Sequence, residues 1–280
     1  MTLYIIILIS IIFGYLLITL LLSFVVQRFP RNPVDEQPDW GRVTDTRIPA
    51  RDGGQLEVWR VEPGGQSRGT IVLAHGWGRN RDRMVPRARI FAELGFTTVM
   101  HSARDHGESS SARLVNAVMF AQDIESVIDW VDEPVLLYGH SAGAAGAIIA
   151  AHENQARIRL LFLEASYADT KTGLLNLYKW ANWFFGTFFG PMIIFWWDLV
   201  YRGAMDHYSP INLAPDLKIP VMIIHGEKDQ RFPLKFAHQL RQAFGHDHVA
   251  MYIGPGAGHS DSSLTPGYAG AVQAFIDRYL

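Results

Sequence analysis

The chain has 280 residues, with 25 Lys and Arg against 27 Asp and Glu and a formal charge of −2; this balance argues against nucleic acid or a strongly anionic partner. It contains no cysteine, which excludes disulfides, a cysteine nucleophile and thiolate metal sites. Roughly 240 residues lie beyond the first apolar segment, enough for one domain with a substantial core, and there is no internal repeat.

From the N-terminus, Leu3 to Val26 carries no charged residue and is mostly Leu, Ile, Val and Phe, interrupted by Ser10, Gly14, Thr19 and Ser23. As a helix this segment would extend about 36 Å, enough to cross a hydrocarbon core of about 30 Å. A cleaved signal peptide is the competing reading. The stretch exceeds a typical signal core, no basic region precedes it, and no small-residue cleavage site is evident before Arg28. Residues 1–27 are therefore expected to be a retained, single-pass transmembrane anchor. Arg28 and Arg31 follow the span while Met1 and Thr2 offer no side-chain positive charge, so the positive-inside rule puts the remainder in the cytoplasm. Residues 28–45, with Pro30, Pro33 and Pro38, read as an extended tether, and residues 46–280 as the folded domain.

Within that domain, short apolar runs predict strands near Leu56–Val61, Thr70–Ala74, Phe96–Met100, Val135–Tyr138, Ile158–Leu163, Val221–His225 and Val249–Ile253. Amphipathic patterns predict helices at Met84–Leu94, Val115–Val131, Leu234–Phe244 and Ala269–Tyr279. This alternation implies an α/β fold with a mostly parallel sheet covered by helices on both faces. Arg79, Arg81, Arg83, Arg87 and Arg89 read as a solvated face, with a lipid headgroup contact as the alternative. The rhythm breaks over about 165–212, where Trp183 to Trp197 is aromatic and uncharged. A second membrane span would be short and broken by Gly186, Gly190 and Pro191, so this insertion reads as an apolar lid that also touches the bilayer.

The chemistry begins at Gly139-His140-Ser141-Ala142-Gly143, between the apolar run ending at Tyr138 and the alanine-rich segment ending at Ala151. A serine between glycines at a strand-to-helix corner reads as a nucleophile elbow. Such a serine needs a base and an acid to orient that base, each at a strand's end. Asp229, in His225-Gly226-Glu227-Lys228-Asp229, follows one later strand. His259, on the loop Gly254-Pro255-Gly256-Ala257-Gly258, follows the next. Glu164, ending the run from Ile158, is the rival acid; Asp261 is too local to His259 to orient it from behind.

The order Ser, Asp, His resembles that of the α/β-hydrolase superfamily, and the resemblance covers roughly Arg47 to Leu280. His75-Gly76-Trp77-Gly78 resembles the superfamily's H-G-x-G turn, and Arg104-Asp105-His106-Gly107-Glu108-Ser109 its R-G-H-G-x-S loop, with Asp105 replacing a glycine. The resemblance implies an oxyanion hole from the Trp77 and Ala142 amides and a helical cap over about 165–212. It leaves His106 a structural corner. The group looked most alike is the lysophospholipase and monoglyceride-lipase-like set, including membrane-tethered members related to protein depalmitoylases.

The expectation is thus a membrane-anchored serine hydrolase cleaving esters or thioesters with an apolar acyl part through Ser141, His259 and Asp229. Expected partners are the ester substrate and the bilayer, through the N-terminal helix and the cap, with no nucleic acid. With no H-E-x-x-H spacing and no glycine-rich phosphate loop, no metal or cofactor is expected. A serine peptidase or a non-catalytic binding protein on the same scaffold are the alternatives.

Overall fold

The apolar runs of the sequence become neighbouring strands of one sheet in a computed structural model that describes residues 2–51, 53–112 and 114–280. Met1 of the expected anchor therefore lies outside the described residues. Helix α1 (Thr2–Val25) precedes strands β1 (Arg42–Pro49), β2 (Gln55–Glu62) and β3 (Thr70–Ala74). Then come α2 (Val85–Glu93), β4 (Thr97–His101), α3 (Ala117–Val131), β5 (Val135–His140), α4 (Ala142–Glu153) and β6 (Ile158–Glu164). The insertion holds α5 (Thr170–Ala181), α6 (Trp183–Phe188), α7 (Gly190–Val200), α8 (Ala204–His207) and α9 (Pro210–Leu213). The chain closes with β7 (Val221–Gly226), α10 (Lys235–Phe244), β8 (Val249–Gly254) and α11 (Tyr268–Tyr279).

The sheet order is β1-β2-β4-β3-β5-β6-β7-β8, with β1 and β2 antiparallel and every pairing from β4 to β8 parallel. Alternate residues feed two cores. Val72, Leu137, Leu161 and Ile223 pack under α3, α4 and α10, whereas Leu73, Tyr138, Phe162 and Ile224 pack under α2 and α11. A parallel strand covered on both faces must be apolar at successive positions, which is why these strands read as continuous hydrophobic runs.

β1 departs from the sequence expectation. Its residues are almost all polar and exposed, so no apolar run marks it; the backbone ladder to β2, from Arg42 opposite Glu62 to Pro49 opposite Gln55, makes it a strand. It takes in the last residues of the segment expected to be tether. The rest of that segment is extended but fastened. Arg31 donates to the Gly107 and Ser109 carbonyls at 3.2 and 2.7 Å, Asn80 donates to the Pro33 carbonyl at 2.8 Å, and Arg89 pairs with Asp39. Proline keeps the strap out of helix and sheet, and domain side chains satisfy its backbone.

Helix α1 is long and apolar enough to cross a membrane. Thr19 and Ser23 are its buried residues. They lie four residues apart, hence on one face, and meet α7: the Trp196 indole donates to Thr19 Oγ1 and the Trp197 indole to the Ser23 carbonyl, both at 3.0 Å. Tyr15 reaches the Phe188 carbonyl at 2.7 Å. These aromatic residues of the insertion therefore hold α1. Leu174, Tyr178 and Phe185 of the same insertion pack with Trp197 in one apolar cluster that also takes in Leu22 and Val26.

Candidate active site

Ser141 occupies the one-residue corner between β5 and α4, with φ 57° and ψ −118°, a region that side-chain-bearing residues rarely adopt. Its amide donates to the Glu164 carbonyl at 2.9 Å, which ties the corner to β6. The helix can turn this sharply only because position 139 lacks a side chain: a Cβ there would lie 2.4 Å from the Gly143 carbonyl oxygen. Strain and close approach together leave the Ser141 hydroxyl projecting from the sheet's carboxyl edge.

Two loops from that edge bring their side chains to it. His259, beyond β8, places Nε2 at 2.9 Å from Ser141 Oγ and Nδ1 at 2.8 Å from Asp229 Oδ2. Asp229, beyond β7, is buried, and its Oδ1 accepts the Arg231 and Phe232 amides at 2.9 and 3.0 Å. An ionised carboxylate only accepts hydrogen bonds, so the imidazole carries its proton on Nδ1 and offers Nε2 to the serine hydroxyl. The Phe232 ring meets His259 edge-on at 5.1 Å.

The Glu164 carboxylate is not part of this constellation. Its carboxylate is fully buried and taken up by Arg87, with Nη2 at 2.8 Å, and by the Tyr138 hydroxyl at 2.8 Å. Asp261 is exposed and makes no hydrogen bond to His259.

Across Ser141 runs the loop after β3. A Cβ on Gly76 would sit 2.9 Å from Ser141 Cβ, so glycine lets this loop touch the elbow and brings Trp77 alongside. Neither the Trp77 nor the Ala142 amide donates a hydrogen bond within the protein among the described residues. Two buried histidines hold the loop. His75 donates from Nδ1 to the Gly76 carbonyl at 2.7 Å and accepts the Ala103 amide on Nε2 at 2.9 Å. His106 likewise donates to the Arg104 carbonyl at 2.8 Å and accepts the Gly78 amide at 3.1 Å. Each needs a bare ring nitrogen, and burial pushes both pKa values down, His75 well below the usual histidine range. Asp105 beside them has φ 63°, a conformation glycine adopts freely and aspartate tolerates.

Two contacts had no signal in the sequence. His140, the variable residue of the elbow, faces the His259 carbonyl at 3.2 Å through Nε2, and Arg87 Nη2 donates to the Ser260 carbonyl at 3.1 Å. Both brace the histidine loop. Above the elbow is a cavity of about 380 Å³ bounded by Ser141, Ala142, His259, Trp77, Phe120, Leu174, Tyr178, Phe185 and Phe232. Val26, Arg28 and Phe29, just past α1, complete its wall; Phe29 packs on Trp77 at 5.4 Å.

A mostly parallel sheet with a serine elbow after β5 and a cap between β6 and β7 makes this chain an α/β-hydrolase. The profile of the serine aminopeptidase S33 family matches residues 65–209, and the chain belongs to that family. The matched region contains Ser141 and ends before Asp229 and His259. The chain is similar to the protein bem46 of Schizosaccharomyces pombe, 24% identical over 219 residues that span 75% of this chain and 68% of that one. It is also similar to a bifunctional esterase/perhydrolase of Acinetobacter calcoaceticus, 22% identical over 68% of this chain and 84% of the relative. Among solved structures, an esterase of Pyrococcus furiosus superposes with a TM-score of 0.71 at 19% identity, covering 90% of this chain and 99% of that one.

Proposed function

We propose that this protein is a membrane-anchored serine hydrolase that cleaves carboxylic esters or thioesters with an apolar acyl part. The observation that carries the proposal is the unbroken hydrogen-bonded series Ser141, His259, Asp229 at the floor of an apolar cavity. Ser141 Oγ attacks the acyl carbon as its proton passes to His259 Nε2, and the Trp77 and Ala142 amides stabilise the oxyanion. Collapse breaks the bond to the leaving group, which takes the proton from His259. Water then attacks the acyl-enzyme, giving its proton to His259; the carboxylic acid departs and Ser141 recovers the proton.

An ester is favoured over an amino-terminal peptide by the charge of the cavity. Its lining includes Arg28 and Arg231 and no carboxylate among the described residues, so a substrate ammonium would be buried without a counter-ion. The esterases among its relatives and fold neighbours support the same reading. Helix α1 is proposed to remain as the anchor. Trp183, Phe184 and Phe188 are exposed beside it and suit an interfacial apolar face, with the cavity wall at Val26 and Phe29 facing acyl chains arriving from the bilayer. The domain is proposed to face the cytoplasm, which protease accessibility in sealed vesicles tests.

The central experiment is labelling by a fluorophosphonate probe and turnover of p-nitrophenyl esters. Wild type should react with both, and Ser141→Ala should lose labelling and at least about 10⁴-fold in turnover. Near-normal hydrolysis by that variant would refute the assignment.

A further inference from the structure

The five arginines from Arg79 to Arg89 do not form one solvated face. Arg81 bonds Asp45 at 2.7 Å and lies over the Trp59 ring, Arg87 is buried against Glu164, and Arg89 pairs with Asp39 over Trp40. Arg79 and Arg83 make no salt bridge among the described residues, although Arg83 feels the charges of Glu164 and Asp261. Together with Lys228 and Arg231 they line a second cavity, of about 320 Å³, whose wall also holds His259 and Asp261. Arg83 Nε is buried and finds no acceptor among the described residues. Four cations thus face one exposed carboxylate in a concave site.

This cavity shares Trp180, Arg231 and His259 with the apolar cavity above Ser141. The Arg231 guanidinium lies 4.0 Å over the Trp180 ring, forming part of the divide. A leaving group departs next to the imidazole that protonates it. An acyl chain in the apolar cavity therefore directs the alcohol side of the ester past His259 towards the cations.

We propose that Arg79, Arg83, Lys228 and Arg231 form a subsite for a phosphate carried on the leaving group, so that the preferred substrates are acyl esters of phosphorylated alcohols. The proposal rests on the reading of Ser141 as an ester-cleaving nucleophile. In the step concerned, the acyl C–O bond breaks, the alkoxide oxygen takes the proton from His259, and the phosphorylated alcohol leaves while the acyl group stays on Ser141 Oγ until water releases it. A guanidinium or ammonium suits a phosphate through charge-assisted hydrogen bonds, and Arg79 and Lys228, both exposed, reach solvent from which the phosphate would arrive.

The test uses the full chain in detergent micelles and two substrates with the same medium acyl chain, monoacylglycerol and monoacylglycerol 3-phosphate, both below aggregation. Wild type should favour the phosphate ester in kcat/KM by about tenfold or more. In Arg79→Gln/Lys228→Gln that ratio should fall by about tenfold, with Arg79→Lys keeping most of it and unchanged unfolding midpoints showing that the fold is intact. Glycerol 3-phosphate should bind wild type saturably in calorimetry and not the double variant. A ratio near one in wild type, or the same ratio in the double variant, overturns the subsite while leaving ester hydrolysis standing. Loss of turnover on both esters together with no probe labelling is failure of the hydrolase reading; the calorimetry then still decides the subsite, and no binding overturns it. If the double variant instead keeps the ratio of the two esters and loses only a wild-type rate gain on anionic over neutral vesicles, the cations serve the bilayer and the proposal falls.

Discussion

Replacing Asp229 and Glu164 separately by their amides should divide catalysis from stability. Asp229 Oδ1 accepts two backbone amides, from Arg231 and Phe232, while Oδ2 faces His259 Nδ1. In Asp229→Asn the carboxamide oxygen is held by those two donors, so the NH₂ group must face the histidine. His259 Nδ1 then has to accept, its proton moves to Nε2, and the nitrogen facing Ser141 can no longer take the hydroxyl proton. A wrong tautomer of this kind costs about 10⁴-fold in kcat, equivalent to about 5.5 kcal/mol. Stability should change little, because the isosteric amide keeps both amide contacts. Glu164→Gln does the reverse: it leaves the guanidinium of Arg87, 2% exposed, without its counter-charge, and breaking a buried pair costs about 3–5 kcal/mol. Urea unfolding and p-nitrophenyl ester kinetics on the same micellar samples measure both effects. If Asp229→Asn keeps kcat within tenfold, or Glu164→Gln abolishes kcat at wild-type stability, the assignment of the acid is wrong.

Three further outcomes are expected. His101 is fully buried, neither ring nitrogen has a hydrogen-bond partner among the described residues, and burial lowers its pKa from 6.5 to about 4; because the folded state binds the proton less readily than the unfolded one, stability is present above about pH 6.5 and is lost as pH falls towards 4, by about 2 kcal/mol between about pH 7 and 5. Unfolding midpoints should contain this contribution, and His101→Leu should reduce the acid-side slope by that amount while leaving the part due to buried His75 and His106; equal slopes would refute the attribution. Removing residues 2–31 should preserve cleavage of a short soluble ester while weakening the preference for long chains, since Val26 and Phe29 leave the cavity wall; a truncated chain with the wild-type chain-length profile would contradict that. Each methylene buried is worth about 0.8 kcal/mol, roughly fourfold in kcat/KM, so Tyr178→Ser/Phe185→Ser should flatten the chain-length slope, whereas Trp183→Ser/Phe188→Ser should leave the slope and weaken vesicle binding of the chain lacking residues 2–31, and identical behaviour of the two pairs would remove the distinction between cavity-lining and exposed rings.

Local chemistry made much of this protein legible in its sequence. A buried parallel strand has to be apolar along its length, an elbow needs small residues around its serine, and each is written in contiguous residues such as Val135 to Gly143. Candidate acid and base followed from the same logic, because each stands directly after such a strand. The choice between Asp229 and Glu164 did not: both end apolar runs, and only the packing of α2 against β6, which delivers Arg87 to Glu164, separates them in space. β1 was silent because its ladder is backbone and its side chains face water. The strap at Arg31 and the seating of α1 on α7 were silent for a related reason: each joins residues far apart in the chain, and a proline-rich segment or an apolar helix reads the same whether docked or free. Thr19 and Ser23 did carry a trace, two polar groups on one face of an apolar helix, but their indole partners came only with the fold. The division of five neighbouring arginines into neutralised and unpaired ones belongs wholly to tertiary structure, since a guanidinium's charge is fixed by sequence and its counter-ion by what the chain folds against it.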